Sequence, residues 1–382
     1  MPLPPSKTAF HACSDWLASP AIVRRIFPRR APQPCTWREA GTIFVIKLDE
    51  IGDFVLATPF LRELRRNAPR ARITLIVKPA VLNLAETCPY VDAVLAYNGQ
   101  TRGLRAWQLR RQWRAWRLAR RELRPQQGDV AVIPRWGEDA YNATHLARYS
   151  GARAIIAYTE QTSAAKRAMN RGYDQLVTHP VPAAAPAHEV EHNLNLIRFF
   201  GGTIEDTALE LTLTEADRAF AAAALPAEKT FAALAPGALD PARRWPADRF
   251  AALARWLQET HGLMPVVFGG ANDPALPGAL DLRGRTTLRQ AAAALARCRV
   301  FIGNDTGPKH LAAAVGTRVV ELSAFRSGGD PNHGNSPARF HAWGVTQHIV
   351  QPPSSTDAPR LAIDEVPLSA VQAAVTDLLA QP

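Results

Sequence analysis

The sequence predicts an α/β fold of two successive halves, each a parallel sheet covered by helices on both faces. Three observations point there. Short apolar runs of strand type alternate with segments of helical period along most of the 382 residues. That alternation runs through two cycles of similar size, which suits a chain of this length divided into two domains. The most turn-rich segments fall after strands and before helices, as in sheets built from βαβ units.

In the first half, residues 42–47 (TIFVIK) read as a strand, 48–52 as a loop and 54–66 as a helix with Val55, Pro59, Leu61 and Leu64 among its apolar positions. Strands follow at 73–77, 93–97, 130–133 and 154–157. Helices are expected at 81–86, 104–123, 140–149 and 189–200. The second half repeats the pattern with strands at 230–234, 265–268, 300–302 and 318–322 and helices at 248–261, 288–297, 309–315 and 366–379. This divides the chain into a basic appendage (1–40), a first Rossmann-like domain (41–205), a second (206–362) and a closing helix (363–382). A short amphipathic helix is expected at 22–27, and 29–34 reads as a linker.

Composition excludes several classes. A hydrophobic fraction of 47% with 21% charged residues is globular rather than disordered. No apolar run approaches the roughly 18 residues of a membrane-spanning helix, and no signal-peptide core forms at the N-terminus. Cys13, Cys35, Cys88 and Cys298 include no CxxC pair, so neither a zinc site nor a disulfide framework is expected and a cytoplasmic protein is. The net charge is +11, but residues 101–124 hold nine Arg against Glu122 and residues 1–40 hold six cations against two acids. Those patches carry +8 and +4, which leaves −1 for the remainder. Two basic patches on a neutral body suit an anionic surface or ligand; with no nucleic-acid-binding motif in the chain, nucleic acid is not the expected partner.

Three strand-to-helix loops carry candidate chemistry, because ligands in open α/β sheets bind at strand carboxyl ends. The loop 47–53 places Asp49, Glu50 and Asp53 around Gly52. One glycine is too few for a dinucleotide fingerprint. Asp53 serves either as a helix N-cap or as a general base at the mouth of a cleft. The loop after the strand at 230–234 runs Pro236-Gly237-Ala238 toward Arg243-Arg244-Trp245-Pro246. Its backbone N–H groups suit an anion and its arginines suit phosphate oxygens, or both are an ordinary turn with solvated cations. The third is Gly303-Asn304-Asp305-Thr306-Gly307-Pro308-Lys309-His310. Small residues and a Pro at the first helical position open a helix N-terminus to a diphosphate, with Lys309 and His310 alongside.

At these residues the chain resembles glycosyltransferase family 9, the lipopolysaccharide heptosyltransferases. GNDTGPKHLAAAVG (303–316) is similar to the family signature and IFVIKLDEIGDFVLATPFLRELR (43–65) to its opening motif; PGA…RRWP (236–246) and GGANDP (269–274) fit between them in order. The resemblance implies a GT-B architecture, two Rossmann-like domains with parallel sheets facing a central cleft. It implies an inverting transfer of a sugar, heptose in the leading case, from a nucleotide-diphosphate donor such as ADP-heptose to a lipopolysaccharide-core or other lipid-linked acceptor. Asp53 matches the family's base. Gly237, Arg243, Arg244, Asp305, Thr306, Gly307, Lys309 and His310 match or adjoin the donor-diphosphate residues, and Gly269, Gly270, Asp273 and Thr287 lie where the family contacts the nucleotide. Arg243 stands where members often have Lys, which exchanges a point charge for a planar fork. Lys309 stands where many have Met or Ser and would add a cation beside the diphosphate. With base and phosphate grip on different halves, domain closure would be needed. No DxD-like pair follows a strand, so neither a metal nor a cofactor besides the donor is called for.

On the acceptor side, Gly52 borders the base, while Arg135 is placed to bind an acidic group and Trp136 to stack on a sugar, or the pair is a surface Arg and a half-buried Trp. Leu109, Trp113, Trp116 and Leu123 share one face of the Arg-rich helix. That face either packs on the sheet or leaves the segment 102–124 to lie on anionic lipid at the inner face of the cytoplasmic membrane. Competing functions are a GT-B transferase using another nucleotide sugar and a non-catalytic nucleotide-sugar or membrane-surface binding protein.

Overall fold

Two six-stranded sheets, parallel throughout, organise the computed structural model, which describes residues 19–28, 36–99, 107–183, 185–326, 328–353 and 361–381. They belong to two units. The first is formed by residues 1–50, 60–185 and 191–206, and the second by 51–59, 186–190 and 207–382.

In chain order, helix α1 (Pro20–Ile26) precedes strand β1 (Thr42–Lys47), then come α2 (Ile51–Val55), α3 (Thr58–Asn67), β2 (Arg72–Val77), α4 (Leu82–Ala85) and β3 (Ala93–Ala96). The Arg-rich helix α5 (Trp107–Leu118) continues into a π turn over Ala119–Leu123 and leads to β4 (Val130–Ile133), α6 (Ala143–Ser150) and β5 (Ala154–Tyr158). Helix α7 (Ala164–Met169), β6 (His179–Val181) and α8 (Glu189–Phe199) follow. The rest of the chain runs α9 (Glu215–Ala224), β7 (Phe231–Ala235), α10 (Ala247–His261), β8 (Met264–Val267), β9 (Leu280–Asp281), α11 (Leu288–Leu295), β10 (Cys298–Asn304), α12 (Gly307–Ala314), β11 (Arg318–Leu322), α13 (Pro337–Phe340), β12 (Gln347–Val350) and α14 (Leu368–Ala380).

The first sheet is ordered β3-β2-β1-β4-β5-β6 and the second β12-β11-β10-β7-β8-β9. Counted from the first strand of each, both follow the doubly wound order 3-2-1-4-5-6. The order reverses between β1 and β4 in one sheet and between β7 and β10 in the other, and ligands in such sheets bind outside the strand ends at that reversal. The central strands are nearly continuous buried apolar runs, as strands covered on both faces require.

Several elements depart from the sequence reading. The helix expected at 54–66 is two helices, because residues 56–57 break it and the Thr58 hydroxyl donates back to the Val55 carbonyl (2.8 Å). Strands β6, β9 and β12 and helices α7, α9 and α13 were not anticipated. Helix α5 buries Gln112 and Ala115, and the π turn buries Ala119 and Leu123; Trp116 is half-buried and Trp113 is 53% exposed. Of the expected face, Leu123 is buried and Trp116 packs against the core, while Trp113 does not, and Gln112, Ala115 and Ala119 complete the inner stripe. The linker at 29–34, Cys13, Cys35, residues 101–106 and the Leu109 side chain lie outside the described residues. Among the described residues no helix is long and apolar enough to cross a membrane.

Candidate active site

The second unit assembles most of the predicted site at its strand-order reversal. Strand β7 runs out into Pro236-Gly237, and its neighbour β10 ends at Asn304, just before α12. The buried Asn304 amide donates to the Pro236 carbonyl (2.8 Å), and its oxygen accepts from the Trp245 backbone N–H (3.0 Å). One side chain thereby ties the Pro236 turn and the Arg-Arg-Trp-Pro segment to the loop that opens α12. Sequence reasoning quoted Asn304 without giving it a role. Trp245, itself buried, anchors the Arg-Arg-Trp-Pro segment by donating from its indole to the Val366 carbonyl (2.9 Å).

Gly237, Gly269, Gly270 and Asp273 come together around the Asp273 carboxylate. A Cβ on Gly237 would stand 2.2 Å from it, and Gly270 donates its N–H to Oδ2 (2.7 Å). Gly269 has φ 151°, a conformation side chains rarely adopt. Thr287 is occupied elsewhere. It caps α11, accepting from the Gln290 N–H (3.2 Å) while Gln290 accepts from the Thr287 N–H (3.0 Å), a reciprocal capping box.

At α12 the Thr306 hydroxyl donates to the Asn304 carbonyl (3.2 Å) and makes no capping bond, so it leaves the first-turn amides of a positive helix end to another partner. Asp305 is buried and its two oxygens are divided between two cations. Oδ2 takes the Arg243 guanidinium (2.7 Å), which also donates to the Asp305 carbonyl and to Asn335 Oδ1 (3.2 Å); Oδ1 takes Lys309. Arg244 is exposed, with Nε donating to the Ala238 carbonyl (2.7 Å).

Lys309, expected from the sequence as a cation beside the diphosphate, has its charge taken up inside the protein. It is wholly buried and pairs with Asp305 and, at 2.8 Å, with Glu321, which is equally buried. Burial opposes the Lys309 charge, but Asp305 and Glu321 outweigh it and raise its pKa. Burial pushes the Glu321 carboxyl up to about 7 against the pull of Lys309. His310 is also buried. Desolvation first, then Lys309, His188 and His341, hold its pKa well below the ordinary value, so the imidazole is neutral and contributes hydrogen bonding rather than charge. His188, which no local signal singles out, makes a bond of 3.0 Å through Nε2 with the His341 carbonyl and stacks on Trp343.

Asp53 lies half-buried in the first turn of α2. The sequence reading put it on the first half; α2 instead belongs to the second unit. The reason is close backbone approach. A Cβ on Gly52 would come within 2.6 Å of the His310 ring and one on Gly307 within 3.2 Å of Ile51. The candidate base is therefore adjacent in sequence to the contact with His310, and no separate closure is needed to bring α2 to α12.

In the first unit, Trp136 is fully buried and stacks on His192 (4.8 Å), so it offers no face to a sugar. Its carbonyl accepts from Lys166 Nζ (2.9 Å) and from the Thr162 hydroxyl (3.1 Å). Arg135 binds Asp49 and the Glu138 carbonyl. Lys47 reaches Asp49 (2.8 Å) and the Pro134 carbonyl (2.6 Å), while Lys78 binds Glu50 and lies 3.7 Å from the Tyr141 ring centre. The ends of β1, β2 and β4 thus collect three cations. Lys47, Lys78 and Tyr141 were missed because their meeting depends on strand order, which sequence spacing does not reveal.

The family model of glycosyltransferase family 9 (heptosyltransferase) matches residues 119–349. A lipooligosaccharide heptosyltransferase 2 of Haemophilus influenzae is 25% identical over 305 residues, which cover 73% of this chain and 82% of that protein. Among solved structures, a family 9 glycosyl transferase from Veillonella parvula superposes with a TM-score of 0.71 at 20% identity, covering 91% of this chain and 99% of its own. The ADP-heptose lps heptosyltransferase II of E. coli superposes with a TM-score of 0.66 at 19% identity, covering 88% and 98%. These likenesses identify the two-sheet architecture as GT-B.

Two outcomes test the buried charges. Lys309→Met leaves Glu321 buried without its cation and costs about 3–5 kcal/mol of unfolding free energy in urea, whereas adding Glu321→Met recovers most of it, because apolar replacement of a whole buried pair is close to neutral. His188 is held at about 3, by burial and then by His341, while the unfolded chain protonates near 6.5. Between those values the unfolded state binds more protons, so stability falls as pH drops through that window. His188→Gln reduces the slope of stability against pH there by about 1.4 kcal/mol per pH unit.

Proposed function

The chain belongs to glycosyltransferase family 9, the heptosyltransferases, and on that premise we propose that it moves heptose from ADP-heptose to a lipopolysaccharide-core acceptor with inversion, using Asp53 as general base. The observation that supports the reading is the packing of α2, the helix that carries Asp53, on α12 through Gly52, Gly307 and His310, with α12 opening on amides that suit a diphosphate. The names of the relatives support the donor and the acceptor class, since one is a lipooligosaccharide heptosyltransferase and another an ADP-heptose enzyme.

In this mechanism the acceptor hydroxyl gives its proton to Asp53 as its oxygen attacks the anomeric carbon opposite the departing diphosphate. Negative charge develops on the bridging oxygen. The amides opening α12, the Arg243 fork braced by Asp305 and the exposed Arg244 meet that charge. His310, kept neutral, adds a hydrogen bond. The three cations at the strand ends of the first sheet suit an acidic acceptor, and such an enzyme works at the cytoplasmic face of the membrane that carries its lipid-linked substrate.

Calorimetric titration with ADP, UDP and GDP, followed by transfer assays, tests this. ADP is expected to bind best. Asp53→Asn keeps ADP affinity within about two-fold while transfer falls by about 100- to 10,000-fold, the usual worth of a positioned base. Arg243→Ala weakens ADP about ten-fold or more, in line with a charge-assisted bond. Preference for UDP or GDP overturns the donor assignment, and full transfer by Asp53→Asn overturns the base.

A further inference from the structure

The two basic stretches of the sequence meet in the first unit. The Phe27 carbonyl, just past α1, accepts from the Arg148 guanidinium, and the Phe27 ring packs edge-on against Tyr149 (4.9 Å). Arg124, at the end of the Arg-rich segment, lies 5.8 Å from the same ring. Between them is a cavity of about 250 Å³ lined by Ile26, Phe27, Pro28, Arg124, Arg148 and Ala152 among others. Arg148 is buried, so one guanidinium belongs to the wall, while Arg124 is exposed at its edge. The cavity has room for a phosphate group rather than a single water.

Its surroundings are cationic and apolar together. Arg24 and Arg25 are exposed on α1, and Ile26 is 61% exposed. Trp113, Arg117, Arg120 and Arg124 recur at spacings of four, three and four; all are exposed, with Arg117 lying 5.3 Å from the Trp113 ring. Across residues 20–28 and 107–126 the one acid is Glu122. Cations alone would suit any polyanion. Exposed Ile and Trp beside them suit the boundary between headgroup and acyl chain.

We propose that this cavity holds the headgroup phosphate of an anionic bilayer lipid, with α1 and the Arg-rich helix lying on the membrane surface around it. The site uses none of the residues assigned to transfer, and it stands independently of the identity of the sugar donor. It gives the N-terminal appendage a task that residues 41–382 leave unexplained.

Co-sedimentation of the full chain with vesicles tests the proposal. The protein is expected to bind phosphatidylcholine vesicles containing phosphatidylglycerol and to ignore phosphatidylcholine alone. Arg110→Gln, which removes an exposed charge on the same helix away from the cavity, lowers partitioning by about five-fold at most, the worth of one surface charge. Arg124→Gln lowers it by about ten-fold or more, and Ile26→Ser lowers it although it changes no charge. Equal losses for Arg110→Gln and Arg124→Gln mean a diffuse basic surface and overturn the site. So does full release by millimolar inorganic phosphate, which marks a site for free anions, or binding of a duplex oligonucleotide as tight as that of the vesicles. ADP titration of the same preparations reports separately on the transferase reading and confirms that each variant is folded.

Discussion

A doubly wound sheet opens a gap where its strand order reverses, and everything functional in this chain depends on how that gap is bridged. Each reversal is spanned by a side chain reaching a proline carbonyl across it: Lys47 to Pro134 in the first sheet and Asn304 to Pro236 in the second. A strand end without such a partner would leave buried backbone acceptors unsatisfied, a cost comparable to a lost hydrogen bond each. Asn304 satisfies Pro236 and receives Trp245 with the same amide, so the loops at 236–238 and 243–246 inherit their position from one buried group.

Charge around the start of α12 is organised by neutralisation. Arg243, Asp305, Lys309 and Glu321 alternate in sign, and the deeper two are wholly excluded from water. A lone cation at position 309 would be expensive to bury; paired on both sides it is stable and its field is largely spent internally. The cationic pull on an anion therefore rests on the helix end and the arginines. Lys309 keeps one oxygen of Asp305 occupied, so that carboxylate braces Arg243 through the other.

Much of this was legible in the sequence because it is local. The central strands show as buried apolar runs, and the loops at 47–53 and 303–310 carry their chemistry within a few residues. Among the described residues three edge strands were illegible: β6, β9 and β12 span three, two and four residues, contact one neighbour each and carry no apolar run, whereas the edge strand β3 shows through its run AVLA. Trp136 looked like a stacking residue because an aromatic after a strand usually lies at a cleft; His192, 56 positions later, covers it instead. Lys309 read as a ligand cation since nothing nearby in sequence hints that Glu321 waits beneath it. The assignment of α2 was hidden for a related reason: what selects its partner is the absence of two side chains, at Gly52 and Gly307, and an absence has no periodicity.

That pairing of α2 with α12 spans about 250 positions of chain, and it has a consequence for synthesis on the ribosome. At about 5–20 residues per second, residues 51–59 leave the ribosome some 10–50 seconds ahead of the helix they pack on. The first sheet can form meanwhile, but one short segment threaded out of it stays without its destination until just over four-fifths of the polypeptide exists. The second half expressed on its own would lack the piece that covers the start of α12, so the chain is two units in space but a single assembly in time.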